Sequence, residues 1–431
     1  MNPSVQAGAV HIVENTLFFV LLQLVVIIIV ARIAGEIARR MGQPRAVGEI
    51  FAGLVLGPSL FGHLFPSISE YLFHSVPTLP ISIISQIGLI LLMFQIGMDF
   101  DFSHLTEKIN RRAVSLISIA SIGLPFVLGF GIGQVSAPFL APGIPALPYS
   151  LFVGTALSIT AVPILGRIMM EYDLTRTSVG TIAIGAAAVN DVIGWLLLAL
   201  ITALTSAQFS LGATLSQMAW LAMYVVVCLW IVRPLIRWLM SRFDFSQQRL
   251  SGNLMGMMFA LIFVSAMATY QIGIFAIFGG FMLGVLVHDI PKFAALWKRT
   301  VGDFVLVFFL PVFFTYTGLR TNIAGLDTLT LWNWCLFFFI AAIFGKIGGA
   351  YVGARVAGLD KYQSGTIGIL MNTRALMELI VLNIGYDSGF IPQNVFTMLV
   401  IMAVLTTIMT GPALRNLLPK MGRAVPSGID A

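Results

Sequence analysis

The sequence predicts an all-α, polytopic membrane protein with thirteen transmembrane helices. Three observations carry this reading. Of its 431 residues, 58% are hydrophobic and 10% charged, with a mean hydropathy of +0.96, a composition that soluble domains do not reach. Apolar runs recur from end to end between charged or Pro/Gly-rich breaks. The basic residues, finally, gather in every second connection, the bias that orients helices in a bilayer.

The first run, 14–38, contains FFVLLQLVVIIIVARIAG, whose Arg32 sits near enough to one end to snorkel to the interface. Runs 46–62 and 273–288 are short for a hydrocarbon core that takes about 20 helical residues to cross. Runs 82–101 and 113–136 follow, then 148–169, which holds Ser158, Thr160 and Pro163 near its centre. Run 177–205 carries Asn190 and Asp191, and 212–240, 250–270 and 301–320 come next. Run 330–355 contains Lys346, run 362–385 contains Asn372, Thr373, Arg374 and Glu378, and 392–415 closes the series. Glycine and proline inside several runs do not argue against them, since membrane helices tolerate both.

Twenty of the 24 Lys and Arg residues fall in alternate connections or the C-terminal tail, from Arg39, Arg40 and Arg45 to Arg415, Lys420 and Arg423. The opposite connections hold only Arg320, and Arg32, Lys346 and Arg374 lie inside runs. The expected orientation is therefore N-terminus outside and C-terminus inside. This placement accounts for the net charge of +6 without a nucleic-acid partner. Cys228 and Cys335 both lie in apolar runs and read as small hydrophobes, not as a disulfide or a metal pair. No basic segment precedes the first run, so no cleaved signal peptide is expected.

The two halves of the chain echo each other. Phe51–Gly57 (FAGLVLG) resembles Phe278–Gly284 (FGGFMLG); more weakly, Ile96–Leu105 resembles Thr317–Leu326, and Tyr172-Asp173 matches Tyr386-Asp387. In order, these pair runs two, three and five with nine, ten and twelve. A shift of seven runs reverses membrane direction, which makes an inverted-topology repeat of the kind common in secondary transporters. Duplication in a passive channel would leave the same echo.

Asp191 is the most informative residue, because a carboxylate at mid-membrane depth is costly and usually marks an ion or proton path. A polar residue serving as packing glue between helices is the plainer alternative. Pro163 removes a backbone donor and disfavours helix at Val162, so run five is expected to unwind just before it; a kink in a continuous helix is the other option. Asn372-Thr373-Arg374 suggests a second break at the equivalent depth of run twelve. Arg374 and Glu378, four apart, share a helix face and can neutralise each other. That leaves Lys346 as the natural partner of Asp191 or Asn190.

These residues look familiar. VGEIFAGLVLGPSLFG, SITAVPILGRI, AAAVNDVIGW and MNTRALMELIVLNIG resemble the monovalent cation:proton antiporter-2 family, which includes Kef-type potassium transporters, bacterial sodium/proton antiporters and plant cation/proton exchangers. The resemblance runs from the second span to the thirteenth and implies the sodium/proton antiporter-like fold, with crossing discontinuous helices in spans five and twelve. It implies core transport helices at 113–205 and 330–415, dimerisation-domain helices at 14–101 and 250–320, a linker helix at 212–240, a short cytoplasmic tail at 416–431, and a homodimer. By position, the ion-binding aspartate falls on Asp191 and the family's lysine on Lys346. Asn190, Thr160 and Ser158 would help hold a dehydrated Na+ or K+, with Asp191, Asn190 and Thr160 as the direct ligands.

The implied activity is exchange of a monovalent cation for H+ by alternating access, cation and proton competing for Asp191. No cofactor is implied, and the protein would reside in the bilayer, in the inner membrane if the source is bacterial. One departure is informative: the position before the aspartate is Asn190, where the electrogenic sodium antiporters have a second aspartate, so the resemblance points to electroneutral one-for-one exchange. A second is the expectation that no large cytosolic domain follows Arg423. The alternative to an antiporter is a Kef-like K+ channel or efflux protein gated by a cytosolic domain. Enzyme chemistry is not expected, since an intramembrane protease needs two aspartates, a Ser–His pair or a metal set, and none of the five histidines lies near a span centre.

Overall fold

The computed structural model describes residues 3–41, 43, 45–98, 108–174, 177–205, 211–243, 250–273, 275–374 and 376–423. All regular structure among them is helical. The principal helices are α1 (Pro3–Arg40), α2 (Arg45–Leu56), α3 (Leu79–Met98), α4 (Lys108–Leu140), α5 (Ala146–Ser158), α6 (Val162–Glu171), α7 (Ser178–Thr205), α8 (Leu211–Val227) and α9 (Arg233–Met240). They continue with α10 (Gly252–Gln271), α11 (Ala276–Leu286), α12 (Leu310–Arg320), α13 (Leu329–Val356), α14 (Lys361–Met371), α15 (Leu376–Asp387), α16 (Gln393–Ile408) and α17 (Thr410–Leu417).

Among the described residues, ten helical stretches are long and apolar enough to cross a membrane, and the bent pair α14–α15 makes an eleventh if it is one span. Runs 148–169 and 273–288 hold shorter apolar helices, α5 and α11. Run five is short because it is interrupted; run nine starts late because Gly273, at φ 84°, turns the chain and Phe275 is extended. Large apolar side chains such as Phe18, Val127, Trp230 and Phe344 point outward, as lipid-facing residues do. The protein is an integral, multi-pass membrane protein.

Packing sorts the helices into two sets. In one, α2 lies on α1 and α12, and α3 lies on α11 and α12, with α10 against α11. In the other, α4 packs against α5, α7 and α13, and α13 in turn against α14 and α16. The π turn Cys228–Val232 joins α8 to α9 and touches α11.

The sequence echo has a geometric counterpart in the first set. A Cβ on Gly53 would overlap the Phe314 carbonyl, and one on Gly318 would overlap that of Gly53, so α2 and α12 cross backbone to backbone. Reciprocally, Gly280 and Gly284 press on the Ile90 and Phe94 carbonyls, and Gly97 on that of Phe281, where α11 crosses α3. Gly53 and Gly57 stand in the echo where Gly280 and Gly284 do, and the two crossings pair the same elements. Small residues permit this approach where no water drives helices together. Of the second echo, residues 99–105 lie outside the described residues, as do Arg176 and Arg249.

Candidate functional site

Two helix breaks meet inside the second set. α5 ends at Ser158 with Ile159 extended (φ −72°, ψ 147°), and α6 starts at Val162, so residues 159–161 are unwound. Pro163 occupies the second position of α6, where its missing N–H needs no partner; its side chain lies outside the described residues. The second break follows Met371, with α14 and α15 bent by 41°. Asn372 closes α14, its N–H bonding the Gly368 and Ile369 carbonyls. Asp360 and Gln363 form a capping box that fixes the start of α14.

The breaks touch directly. Ala161 N–H donates to the Thr373 carbonyl at 2.9 Å, and Thr160 Oγ1 donates to the Met371 carbonyl at 3.4 Å. The carbonyl-bearing ends of α5 and α14, the negative ends of their dipoles, therefore converge. Two buried cations cover the end of α5. Lys346 Nζ donates to the Ser158 carbonyl and, at 3.1 Å, to the Ser121 carbonyl. Arg374 donates to the Ala156 carbonyl at 3.1 Å and the Ala342 carbonyl at 3.2 Å.

Asn190 and Asp191, on α7, are each 1% exposed. The Asn190 amide satisfies its neighbours when its oxygen accepts from Lys346 Nζ at 3.2 Å and Ser121 Oγ at 2.9 Å, and its nitrogen donates to the Ala186 carbonyl at 3.1 Å. Thr160 Oγ1 lies 3.4 Å from the same amide. Lys346 thus bonds Asn190 and not Asp191, although the charges of Asp191, Glu378 and Arg374 all act on it. Neither oxygen of Asp191 has a hydrogen-bond partner among the described residues.

Arg374 and Glu378 form a fully buried i,i+4 ion pair at 3.5 Å. Ser158 contributes its carbonyl; its hydroxyl is spent on the Gly154 and Ile122 carbonyls. Asn372 Nδ2 turns to Met409 Sδ at 3.7 Å, while Asn372 Oδ1 and Thr373 Oγ1 are buried without hydrogen-bond partners. Two participants were missed in the sequence. Ser121 on α4 bridges Asn190 and Lys346, and Trp195, one turn beyond Asp191, has a buried Nε1–H without a partner among the described residues. One of two serines in ISIASIGLP, or a Trp in an apolar run, gives no signal that sets it apart.

No group of three His, Cys, Asp or Glu side chains suited to a resident metal occurs among the described residues. The site instead offers the Asp191 carboxylate, without a hydrogen-bond partner among the described residues, next to Asn190, which meets Thr160 of the first break; a carboxylate is a hard oxygen donor suited to a small alkali cation.

Residues 25–420 match the family described as sodium/hydrogen exchanger, transmembrane. The Na+/H+ antiporter NhaS4 of Synechocystis sp. is 37% identical over 410 residues, covering 94% of this chain and 98% of that protein. Cation/H+ antiporter 17 of Arabidopsis thaliana is 36% identical over 403 residues, covering 93% of this chain. The chain spans about half of the plant protein's length (48%). The fold matches the structure of the sodium proton antiporter MjNhaP1 from Methanocaldococcus jannaschii, with a TM-score of 0.65 at 17% identity over 92% of this chain and 96% of that one. The chain belongs to the transmembrane sodium/hydrogen exchanger family.

Proposed function

We propose that this protein exchanges a monovalent cation, Na+ or K+, for H+ by alternating access, with both ions competing for Asp191. The observation that carries the reading is the Asp191 carboxylate, buried next to Asn190 with neither oxygen hydrogen-bonded among the described residues. Ionised and empty, such a group costs several kcal/mol. Either a proton or a desolvated cation removes that cost, so the loaded forms move and the empty charged form does not. That rule couples the two fluxes. The relatives named Na+/H+ and cation/H+ antiporters support the same activity.

Thr160, which meets both Asn190 and the Met371 carbonyl at the end of α14, would share with Asn190 in holding the cation. Lys346 and the Arg374–Glu378 pair hold the neighbouring backbone and set the field there. With Asn190 neutral, one acid serves each cycle, which makes the exchange electroneutral. The orientation is N-terminus outside, 14–101 and 250–320 associate into a homodimer, and 113–205 with 330–415 moves against them. The protein is a transporter and not an enzyme.

The test is dissipation of a preset pH gradient in proteoliposomes at clamped voltage, with Na+, K+ or Li+ added in turn. A response to a cation that disappears in well-folded Asp191→Asn supports the assignment. Exchange that persists in that variant would sink it, and wild-type protein silent to all three cations would count against antiport itself.

A further inference from the structure

The lone basic residue of its face, Arg320, is unused by the exchange chemistry and yet heavily engaged. It ends α12 in the first helix set, and its guanidinium reaches across the seam to the second. Nη1 donates to Asn383 Oδ1 at 3.0 Å, and Nη2 pairs with Asp387, both on α15. The guanidinium lies 4.8 Å from the ring centres of Tyr316 and Tyr386, one from each set. Its own carbonyl accepts from Gln393 Nε2 at 2.5 Å, and Tyr386 Oη donates to Gln393 Oε1 at 2.7 Å. One turn back, Thr317 Oγ1 accepts from Asn383 Nδ2 at 2.7 Å.

This cluster flanks a cavity of about 360 Å3 in the same seam, walled by Ser85 of α3 and Phe313 and Tyr316 of α12 on one side, and by Ile380, Asn383 and Asp387 of α15 on the other. At the far end of the seam, Gln43 Nε2 donates to the Ile408 carbonyl at 3.3 Å, a neutral bond. Among the described residues the polar grip between the sets is stronger at the Arg320 end. If the sets slide during exchange, the Arg320 end is where charge-assisted bonds and ring contacts must break.

We propose that Arg320 is a positioning residue for exchange: it latches the end of α12 to the end of α15 and so sets how the protein divides between its two access states. This rests on the alternating-access reading above. The Arg320 side chain is 19% exposed and that of Asp387 41%, so the ion pair itself is discounted for solvent. The Asn383 bond and the two ring faces add to it. Together they bias the equilibrium by about tenfold.

The test uses Ser85→Cys as a reporter on the cavity wall, because Ser85 is buried there and both native cysteines are buried. In nanodiscs, where both faces are open to reagent, Arg320→Gln should raise the thiol-labelling rate about tenfold. In oriented proteoliposomes the apparent cation KM should move in opposite directions on the two sides, with the maximal rate changing less. A loss of packing alone would not split the two sides. The charge swap Arg320→Asp with Asp387→Arg should restore labelling and both KM values toward wild type. Asp387→Asn, at a more exposed position, repeats the test if Arg320→Gln folds poorly. Unchanged labelling and KM values in a folded variant, or a charge swap that restores nothing, would overturn the latch. Wild-type exchange in the same vesicles checks the antiport reading separately: a silent wild type with altered labelling in Arg320→Gln removes that reading and leaves a latch between the sets.

Discussion

Replacing Asn190 by Asp adds one acid 3.2 Å from the Lys346 ammonium, where the amide oxygen now sits. At that distance, and at an effective dielectric of about 20, the new attraction is about 5 kcal/mol. Burying the added carboxylate costs several kcal/mol, so the two nearly cancel and Asn190→Asp should fold. The consequence lies in charge counting. On the function proposed above, wild type offers Asp191 as its exchangeable acid; the variant would offer two, and a cycle that releases two protons per cation moves net charge. A voltage of about 100 mV then couples to the cycle with about 2.3 kcal/mol, roughly fiftyfold in the cation gradient that balances a fixed proton gradient. The balance point is read in proteoliposomes as the cation gradient at which a preset pH gradient neither grows nor decays, at two clamped voltages. Wild type should show no shift and Asn190→Asp a large one. A variant whose balance point ignores voltage, or a wild type whose balance point follows it, refutes the reasoning.

Two further substitutions probe the scaffold. Gly318→Ala places a methyl group 2.7 Å from the Leu54 nitrogen, where backbone of α2 and α12 is in contact; it should destabilise by about 1–3 kcal/mol and lower the melting temperature, whereas Gly123→Ala, which meets nothing within 4 Å, should not. Equal melting of the two would disprove the backbone crossing. Arg374→Met leaves Glu378 as a lone buried charge and should cost about 3–5 kcal/mol, while adding Glu378→Leu should recover part of that loss; in thermal melts, a double variant no better than the single would show that the two residues act independently.

Much of this site is legible from residue types. Asp191 is conspicuous because an acid at that depth is rare, and Pro163 points to the unwound stretch just before it because proline removes a donor. The second break carries no proline, and only the cluster Asn372-Thr373-Arg374 hints at it. What the sequence hides is carried by the backbone. The bond from Ala161 N–H to the Thr373 carbonyl can be made by any residue but proline at that donor, so no side chain announces it. Lys346 and Arg374 likewise spend their donors on carbonyls, which every residue has. Charge matching leaves Lys346 a choice of Asp191 or Asn190; the structure turns it to Asn190 and adds the Ser121 and Ser158 carbonyls, which no side chain announces. Glycine spacing reveals the repeat, but not that Gly53 meets Gly318 across two helices.

The contact between the breaks has a mechanical corollary. Four half-helices are riveted by the peptide bridge from Ala161 to Thr373, seconded by the Thr160 hydroxyl on the Met371 carbonyl. A nudge to either unwound strand is a nudge to both, with no side chain needed as a messenger. A displacement of the end of α5 is therefore passed to α15 through the backbone. Opening the crossing would strand a buried amide and a buried carbonyl, at a cost of about 1–3 kcal/mol for each. The least expensive way for this region to move is as one block.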